Sequence, residues 1–137
     1  MSPSYVSSDL RRQIHQRAFG RCEYCLLSQA DAFFAHEADH VIAEKHGGLT
    51  TTDNLALACF DCNRFKGSDI ASIDPDTGNL VALFNPRTQE WNEHFSLTGG
   101  LIIALTPIAS ATVRLLKLNL RARVEARATL AGRGRYP

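Results

Sequence analysis

The sequence predicts a small α+β domain, and three observations support this fold class. Two Cys-x-x-Cys pairs, Cys22/Cys25 and Cys59/Cys62, contain all four cysteines of the 137-residue chain. Short apolar runs, separated by loops rich in glycine and polar residues, indicate several short strands. At both ends of the chain, apolar residues recur at helical spacing. We therefore expect a single domain over 1–137, in which helices flank short strands around a cysteine-rich centre.

The N-terminal half is predicted to run helix, strand, loop, strand, helix. Ser8-Asp9 can cap a helix over 8–20, which a glycine ends. A strand over 33–41 is followed by a polar loop, which Gly47-Gly48 allows to turn sharply. A second strand, over 55–58, leads into a helix that begins near the second cysteine pair.

The C-terminal half is predicted to be β-rich over 74–105 and helical over 106–131. Thr106-Pro107 opens the helical region in the favoured order of cap and then proline, and Asn119 marks a break in it. The residues after 131 are expected to form a loose tail. The predicted strands of this half lie at 80–84, 91–97 and 101–105.

The spacing of the cysteines predicts a tetrahedral four-thiolate zinc site. Two residues between paired cysteines let both sulfurs bind one ion, and two such pairs complete its coordination. Such a zinc ion would be structural, because no position is left for water or substrate. The alternatives are two disulfides or four unrelated thiols. Disulfides need an oxidising compartment, whereas the N-terminus has no apolar run typical of a signal peptide, so we expect a cytoplasmic location.

The net charge of +1 conceals a strong asymmetry along the chain. Residues 1–21 carry four arginines against one aspartate, and residues 106–137 carry seven basic residues against one glutamate. Between them, residues 22–105 carry twelve acidic and four basic side chains. Basic flanks around an acidic centre are expected of a protein that binds phosphates and has a cation site. The alternative is that the terminal arginines only solvate surface helices.

No membrane partner is expected. The longest apolar stretch, 101–105, is far too short to cross a bilayer, which needs about 20 apolar residues in a helix.

A set of polar motifs lies between and after the cysteine pairs. They are, in order, Asp39-His40-Val41-Ile42, Gly47-Gly48, Asp53-Asn54-Leu55 and Cys59-x-x-Cys62-Asn63-x-x-Lys66-Gly67. In order and spacing, residues 22–67 resemble an HNH endonuclease domain of the ββα-metal (His-Me finger) class, in the subtype with a structural four-cysteine zinc site. The resemblance implies a ββα-metal core that carries an N-terminal helix and a C-terminal strand-plus-helix extension. Residues 74–95 are more loosely similar to an extension of some bacterial HNH proteins.

The resemblance implies a role for each polar residue of this core. His40 corresponds to the general base, and Asp39 corresponds to a ligand of the catalytic metal ion. Asn54 corresponds to the central asparagine that braces the loop and helps to orient the base. Lys66 occupies a position that often contacts phosphate. Taken one by one, they could instead be a structural histidine, a turn-capping asparagine and a solvated lysine.

The chemistry of phosphodiester hydrolysis needs residues of these types. A base must take a proton from water, and an imidazole titrates in the right range to do so. Positive charge must also stabilise the anionic transition state.

Asn63 departs from the family name, because many members have a histidine at that position. The resemblance implies that Asn63 is a second ligand of the catalytic ion, as an asparagine is in the HNH domain of RNA-guided CRISPR effectors; the plainer alternative is a surface residue of the helix. Asp39 and Asn63 would both supply hard oxygen ligands, which favour Mg²⁺ or Mn²⁺ over Zn²⁺ or Ni²⁺.

These features predict a metal-dependent HNH endonuclease that nicks or cuts DNA with little sequence specificity. Arg114, Lys117 and Arg121 lie on one face of the predicted C-terminal helix, where we expect them to bind double-stranded DNA together with Lys66. The alternatives are a non-catalytic zinc-stapled nucleic-acid-binding module and a structural or protein-interaction domain. The complete polar set argues against the module, since binding alone does not need it. The sequence leaves open DNA or RNA, and monomer or homodimer.

Overall fold

The computed structural model describes residues 5–137 and confirms the α+β class. Helix α1 covers Ser8–Arg17 and precedes the first cysteine pair. Strands β1 (Glu37–His40) and β2 (Leu55–Ala58) form an antiparallel hairpin, and helix α2 (Phe60–Lys66) follows at once. This order of two strands and one helix agrees with the ββα core that the resemblance implies.

The rest of the described chain adds two hairpins and three helices. The elements are β3 (Ala71–Ile73), β4 (Leu80–Ala82), α3 (Trp91–His94), β5 (Phe95–Thr98), β6 (Leu101–Ala104), α4 (Pro107–Leu115) and α5 (Arg121–Gly132). Strand β3 pairs with β4 and β5 pairs with β6, both antiparallel. An isolated two-stranded hairpin is marginally stable in water, so these sheets depend on packing against helices. Within residues 5–137, no helix has the length and hydropathy needed to cross a membrane.

Helix α1 and strand β1 are both shorter than predicted. Ser7, rather than Ser8-Asp9, caps α1, since its hydroxyl accepts a hydrogen bond from the backbone N–H of Leu10. The helix ends at Arg17 instead of residue 20, because the chain turns into positive φ at Phe19 and Gly20. The predicted strand over 33–41 contracts to β1, since 33–34 form bends and 35–36 pair with no strand.

The strand predicted over 91–97 is wrong in its first half. Trp91–His94 forms the single helical turn α3, which brings the Trp91 indole N–H within 2.9 Å of the Tyr24 carbonyl oxygen. Strand β3 was not predicted, because Ile73 is its only large apolar residue and it gives no alternating pattern. The other strands of this half fall where the sequence placed them, but they end one or two residues earlier.

The predicted helical region over 106–131 is interrupted between α4 and α5. The Asn119 side chain bonds both the N–H and the C=O of Ile102, at 3.0 and 2.7 Å, and so occupies the break that it was expected to mark. The loose tail is a wrong prediction. Tyr136 is buried, and its hydroxyl donates a 2.7 Å hydrogen bond to the Cys25 carbonyl oxygen.

One buried cluster joins the cysteine pairs to the C-terminal half. Besides the four cysteines, it includes Tyr24, Ala58, Phe84, Phe95, Ile102 and Leu116. A second, smaller cluster packs α1 against β2, through Ile14, Leu55 and Leu57. The hairpin of β1 and β2 therefore lies between two apolar clusters, which fixes the strand ends where the polar motifs lie.

Candidate active site and zinc centre

The four cysteines are buried and lie together, as a tetrahedral metal ion requires. Their sulfurs all lie within 4.8 Å of one another, and Cys25 Sγ is 3.7 Å from Cys59 Sγ. Zn–S bonds of about 2.3 Å would place the sulfurs of a tetrahedral site about 3.8 Å apart. All four cysteines are free, so the disulfide alternative is wrong. The set fits a structural zinc ion, because protein sulfurs fill every coordination position.

Helix α5 supplies a cation beside these sulfurs. The Arg123 guanidinium donates to Cys62 Sγ at 3.0 Å and to Cys59 Sγ at 3.8 Å. It also donates to the Leu116 carbonyl oxygen at 2.8 Å, which ties α5 to the end of α4. A donor to the sulfurs offsets part of the negative charge of a four-thiolate site.

The candidate catalytic pair lies at the C-terminal end of β1. In the hairpin, Asp39 is opposite Ala56 and His40 is opposite Leu55. Successive side chains of a strand point to opposite faces. Asp39 is accordingly buried, whereas His40 is only partly buried.

Asp39 is engaged by two side chains in the interior. The Tyr24 hydroxyl donates to Oδ2 at 2.7 Å, and the Lys66 ammonium lies 3.2 Å from Oδ2 and 3.3 Å from Oδ1. Burial raises the pKa of the Asp39 carboxyl, although the Lys66 ammonium and the Tyr24 hydroxyl act in the opposite direction. Lys66 also donates to the His40 carbonyl oxygen at 3.0 Å. One buried lysine therefore holds both residues of the candidate pair.

The His40 ring is held from the loop between the strands. Its Nε2 lies 2.9 Å from the Thr50 hydroxyl oxygen. This contact fixes the ring orientation and leaves Nδ1 as the ring atom available to other chemistry.

Asn54 braces this loop from within. Its amide nitrogen donates to the carbonyl oxygens of Ile42 and Leu49, at 2.9 and 2.8 Å, and its amide oxygen accepts from the Ile42 N–H at 3.0 Å. Leu49 precedes Thr50 in the chain, so the brace sets the position of the hydroxyl that contacts His40. The backbone of Gly48 passes close to that of Ile42, on the other side of the loop. Glycine is required there, since a Cβ would lie 1.6 Å from the Ile42 carbonyl oxygen.

Asn63 lies on α2, three residues before Lys66, and therefore on the same side of the helix. Among the described residues, its side chain makes no hydrogen bond. The oxygens of Asp39 and Asn63 suit Mg²⁺ or Mn²⁺ chemically. The Lys66 ammonium is within 3.3 Å of both Asp39 oxygens, so an ion bound by Asp39 would compete with it.

The structure distributes the predicted DNA-binding residues over several elements. Arg114 is exposed in the last turn of α4, and Lys117 lies in the break after it. Arg121 begins α5, where its exposed guanidinium pairs with Glu125 at 2.8 Å. They do not share the continuous helix face that the sequence suggested. Lys66 is buried, so contact with a phosphate would require it to leave Asp39.

Two residues of the site were not predicted from the sequence. Tyr24 lies between the cysteines of the first pair, and its bond to Asp39 depends on how the cysteine cluster folds against β1. Thr50 is the first of three consecutive threonines in the loop, and nothing in the local pattern distinguishes it.

Comparison with known families gives one match. Residues 22–69 match the family model described as HNH endonuclease. Searches of the curated proteins and of the solved structures found no match. The matched residues contain both cysteine pairs, the hairpin of β1 and β2, and α2. Residues 22–69 are therefore similar to an HNH endonuclease domain, and they contain the four cysteines that are positioned to bind a metal ion.

Proposed function

We propose that the protein is a metal-dependent endonuclease that hydrolyses DNA phosphodiester bonds, with His40 as the general base. The observation that carries the proposal is the environment of His40. The ring is oriented by Thr50, at the end of β1 where it meets the loop that Asn54 braces. The structural alternative for His40 does not explain why a partly exposed ring has a dedicated hydroxyl partner in a braced loop.

His40 would take the proton from the attacking water through Nδ1. With Nε2 engaged by the Thr50 hydroxyl, Nδ1 is the ring nitrogen that remains to accept it. General-base catalysis of this kind contributes about 10²–10⁴-fold. The proton transfer leaves the imidazole charged until the proton passes to solvent.

Asp39 and Asn63 would hold one catalytic divalent ion, which supplies positive charge at the phosphate and the leaving oxygen. Lys66 would then be released from the Asp39 carboxylate and become available to a phosphate. If the ion replaces Lys66 at Asp39, a lysine that is now buried beside Asp39 can still make the expected phosphate contact.

The products are expected to carry 5′-phosphate and 3′-hydroxyl ends. A single small domain presents a limited surface for reading bases, so we expect nicking or loosely specific cleavage of double-stranded DNA. Arg114, Lys117 and Arg121 are exposed cations that would contact the phosphate backbone outside the site, Arg121 by exchanging its partner Glu125 for a phosphate.

The test is cleavage of supercoiled plasmid by the zinc-loaded protein, with Mg²⁺, Mn²⁺, Ni²⁺ or Zn²⁺, or with no added divalent ion. We expect nicked or linear product with Mg²⁺ and Mn²⁺ and none without an added ion. Fastest cleavage in Ni²⁺ would contradict the oxygen ligand set. No cleavage with any ion would contradict the nuclease.

The second candidate is a zinc-stabilised nucleic-acid-binding module without catalysis. It is favoured by the buried pair of Lys66 and Asp39, which closes the position that a catalytic ion needs. It predicts salt-sensitive DNA binding, since phosphate contacts release counterions, but no cleavage with any ion.

A further inference from the structure

A group of exposed aromatic rings lies on and beside α2, the helix that also carries Asn63. Phe33 is fully exposed, and Phe34 and Phe60 are 61% and 44% exposed. The rings of Phe34 and Phe60 nevertheless contact each other, with centroids 4.8 Å apart. We call Phe33, Phe34, Phe60, Phe65, Arg64 and Lys117 the aromatic surface. Three large apolar side chains at one exposed site are more than the scattered single residues of an ordinary surface.

Two cations are fixed against these rings. The Arg64 guanidinium lies 5.5 Å from the Phe60 centroid and 4.6 Å from that of Phe65. The Lys117 ammonium, from the break between α4 and α5, lies 4.9 Å from the Phe65 centroid. Arg64 also has a long ion pair, 3.9 Å, with the partly exposed Asp61. Both cations are exposed, so both can contact an anion.

The surface borders a groove of about 370 Å³, whose lining is mainly apolar. Its carboxylates are already paired with arginines. Asp31 binds Arg135 at 2.6 Å, and Asp61 lies 3.9 Å from Arg64 and 3.8 Å from Arg123. An approaching phosphate therefore meets no unpaired carboxylate in this lining.

Helix α2 carries both a ring of the aromatic surface and a residue of the candidate site. Phe60 and Asn63 are three residues apart on α2, where side chains at this spacing are neighbours, with Cβ atoms about 5–6 Å apart. A strand whose phosphate reaches His40 and Asn63 would therefore bring an adjacent nucleotide to Phe60.

We propose that the aromatic surface binds an unpaired base of the nucleic-acid strand, by stacking on Phe33, Phe34 or Phe60, with the flanking phosphates at Arg64 and Lys117. This inference deepens the proposed function and rests on it for the position of the cut. Planar, uncharged bases suit exposed rings, and stacking contributes about 1–3 kcal/mol per base. The substrate is then DNA that is single-stranded or opened next to the scissile phosphate. An apolar peptide would use the rings but has no need of the two cations.

The test measures binding without added divalent ion, so that it does not depend on cleavage. Fluorescence anisotropy compares a labelled single-stranded oligonucleotide with the corresponding duplex, for the wild type, the double variant Phe33→Ala/Phe34→Ala, and Arg64→Ala. Phe19→Ala is the matched control, since Phe19 is 89% exposed and lies outside the surface. A 2-aminopurine base in the single strand reports stacking through its quenching.

We expect the double variant to bind the single strand at least about 5-fold more weakly, with less quenching, as loss of one stacked base implies. Its duplex affinity and the affinities of Phe19→Ala should stay within about 2-fold of the wild type. Arg64→Ala should weaken binding and reduce its salt dependence. Equal affinities of the double variant and the wild type, or equal losses for single strand and duplex, would overturn the inference and leave the surface to a protein partner.

Plasmid cleavage in Mg²⁺, measured in parallel, distinguishes failure of the base-stacking proposal from failure of the proposed nuclease function. Cleavage by the wild type together with no stacking overturns the aromatic surface alone. Stacking without cleavage overturns the nuclease and leaves the surface as a base-binding site.

Discussion

The ion pair of Asp39 and Lys66 dominates the candidate site at the scale of single residues. Both side chains are at most 4% exposed, and each has a second partner: Tyr24 for Asp39 and the His40 carbonyl oxygen for Lys66. Burying two charges is costly unless they are paired and hydrogen-bonded. Neither side chain can therefore be replaced alone without leaving a buried, unpaired charge.

Removing Lys66 alone should be strongly destabilising. In Lys66→Met, the Asp39 carboxylate is left buried without a countercharge, and the expected loss is about 3–5 kcal/mol of unfolding free energy. The double variant Asp39→Asn/Lys66→Met should recover a large part of that loss. Denaturant unfolding measures all three proteins, with Lys45→Met, an exposed lysine of the loop, as the control. A loss of unfolding free energy below about 1 kcal/mol for Lys66→Met would contradict the view that Asp39 needs its buried countercharge.

Thr50 should act through His40. Thr50→Val keeps the shape of the side chain but removes the hydroxyl from His40 Nε2, so the ring loses its orientation. We expect cleavage to slow by about tenfold, well short of the ~10²–10⁴-fold that the base itself contributes. The loss should appear in kcat while KM stays within about twofold, because the hydroxyl orients the base and does not bind substrate. A wild-type kcat in Thr50→Val would exclude this positioning role.

At the scale of elements, the loop between β1 and β2 is the part that assembles the site. Asn54 bonds Ile42 and Leu49 across it, and Gly48 lies where the two sides of the loop come closest. The hairpin register positions His40, and the loop brings Thr50 back to it. The orientation of the His40 ring consequently depends on the conformation of this loop.

The two loop glycines should differ sharply. A Cβ at Gly48 would meet the Ile42 carbonyl oxygen at 1.6 Å, so Gly48→Ala must displace backbone and should abolish most cleavage. Gly47 has φ 88° but nothing within 4 Å of its would-be Cβ, so Gly47→Ala should cost only about 1–2 kcal/mol of conformational strain. Cleavage rates and thermal unfolding compare the pair. Equal effects of the two substitutions would show that cleavage does not require the close approach of Gly48 to Ile42.

The spacing of the motifs was enough to predict the ββα order and the pairing of the cysteines, because each depends on local sequence. It did not predict that Lys66 is buried, since that depends on Asp39 and Tyr24 meeting it from other elements. The helical turn at Trp91 was missed for a similar reason. Its indole bonds the Tyr24 carbonyl oxygen, a contact between residues 67 positions apart.

At the scale of the whole molecule, the four-cysteine cluster connects the hairpin to the C-terminal half. Arg123 bonds the cysteine sulfurs, Trp91 bonds the Tyr24 carbonyl, and Tyr136 bonds the Cys25 carbonyl. The basic charge of residues 106–137 was expected to serve phosphate binding, but three of its arginines, Arg123, Arg127 and Arg135, are used within the fold. The basic charge of this region is thus partly structural.

Removal of the metal should unfold more than the two cysteine pairs. Small domains with structural zinc often lose their fold with the ion. Because one buried cluster includes the cysteines, Phe84, Phe95 and Leu116, we expect the C-terminal half to lose its packing at the same time. Titration of the thiols with a mercurial reagent, with zinc release and circular dichroism followed together, checks this. A metal-free protein that keeps a cooperative thermal transition would contradict it.

The central claim is that His40 is the base of a nuclease site, and a single-turnover plasmid assay in Mg²⁺ tests it most directly. The assay compares the wild type with His40→Ala and with His46→Ala, which alters an exposed histidine of the same loop. We expect His40→Ala to be slower by about 10²–10⁴-fold while it stays folded and zinc-loaded, and His46→Ala to cleave nearly as fast as the wild type. Wild-type cleavage by His40→Ala would contradict the account.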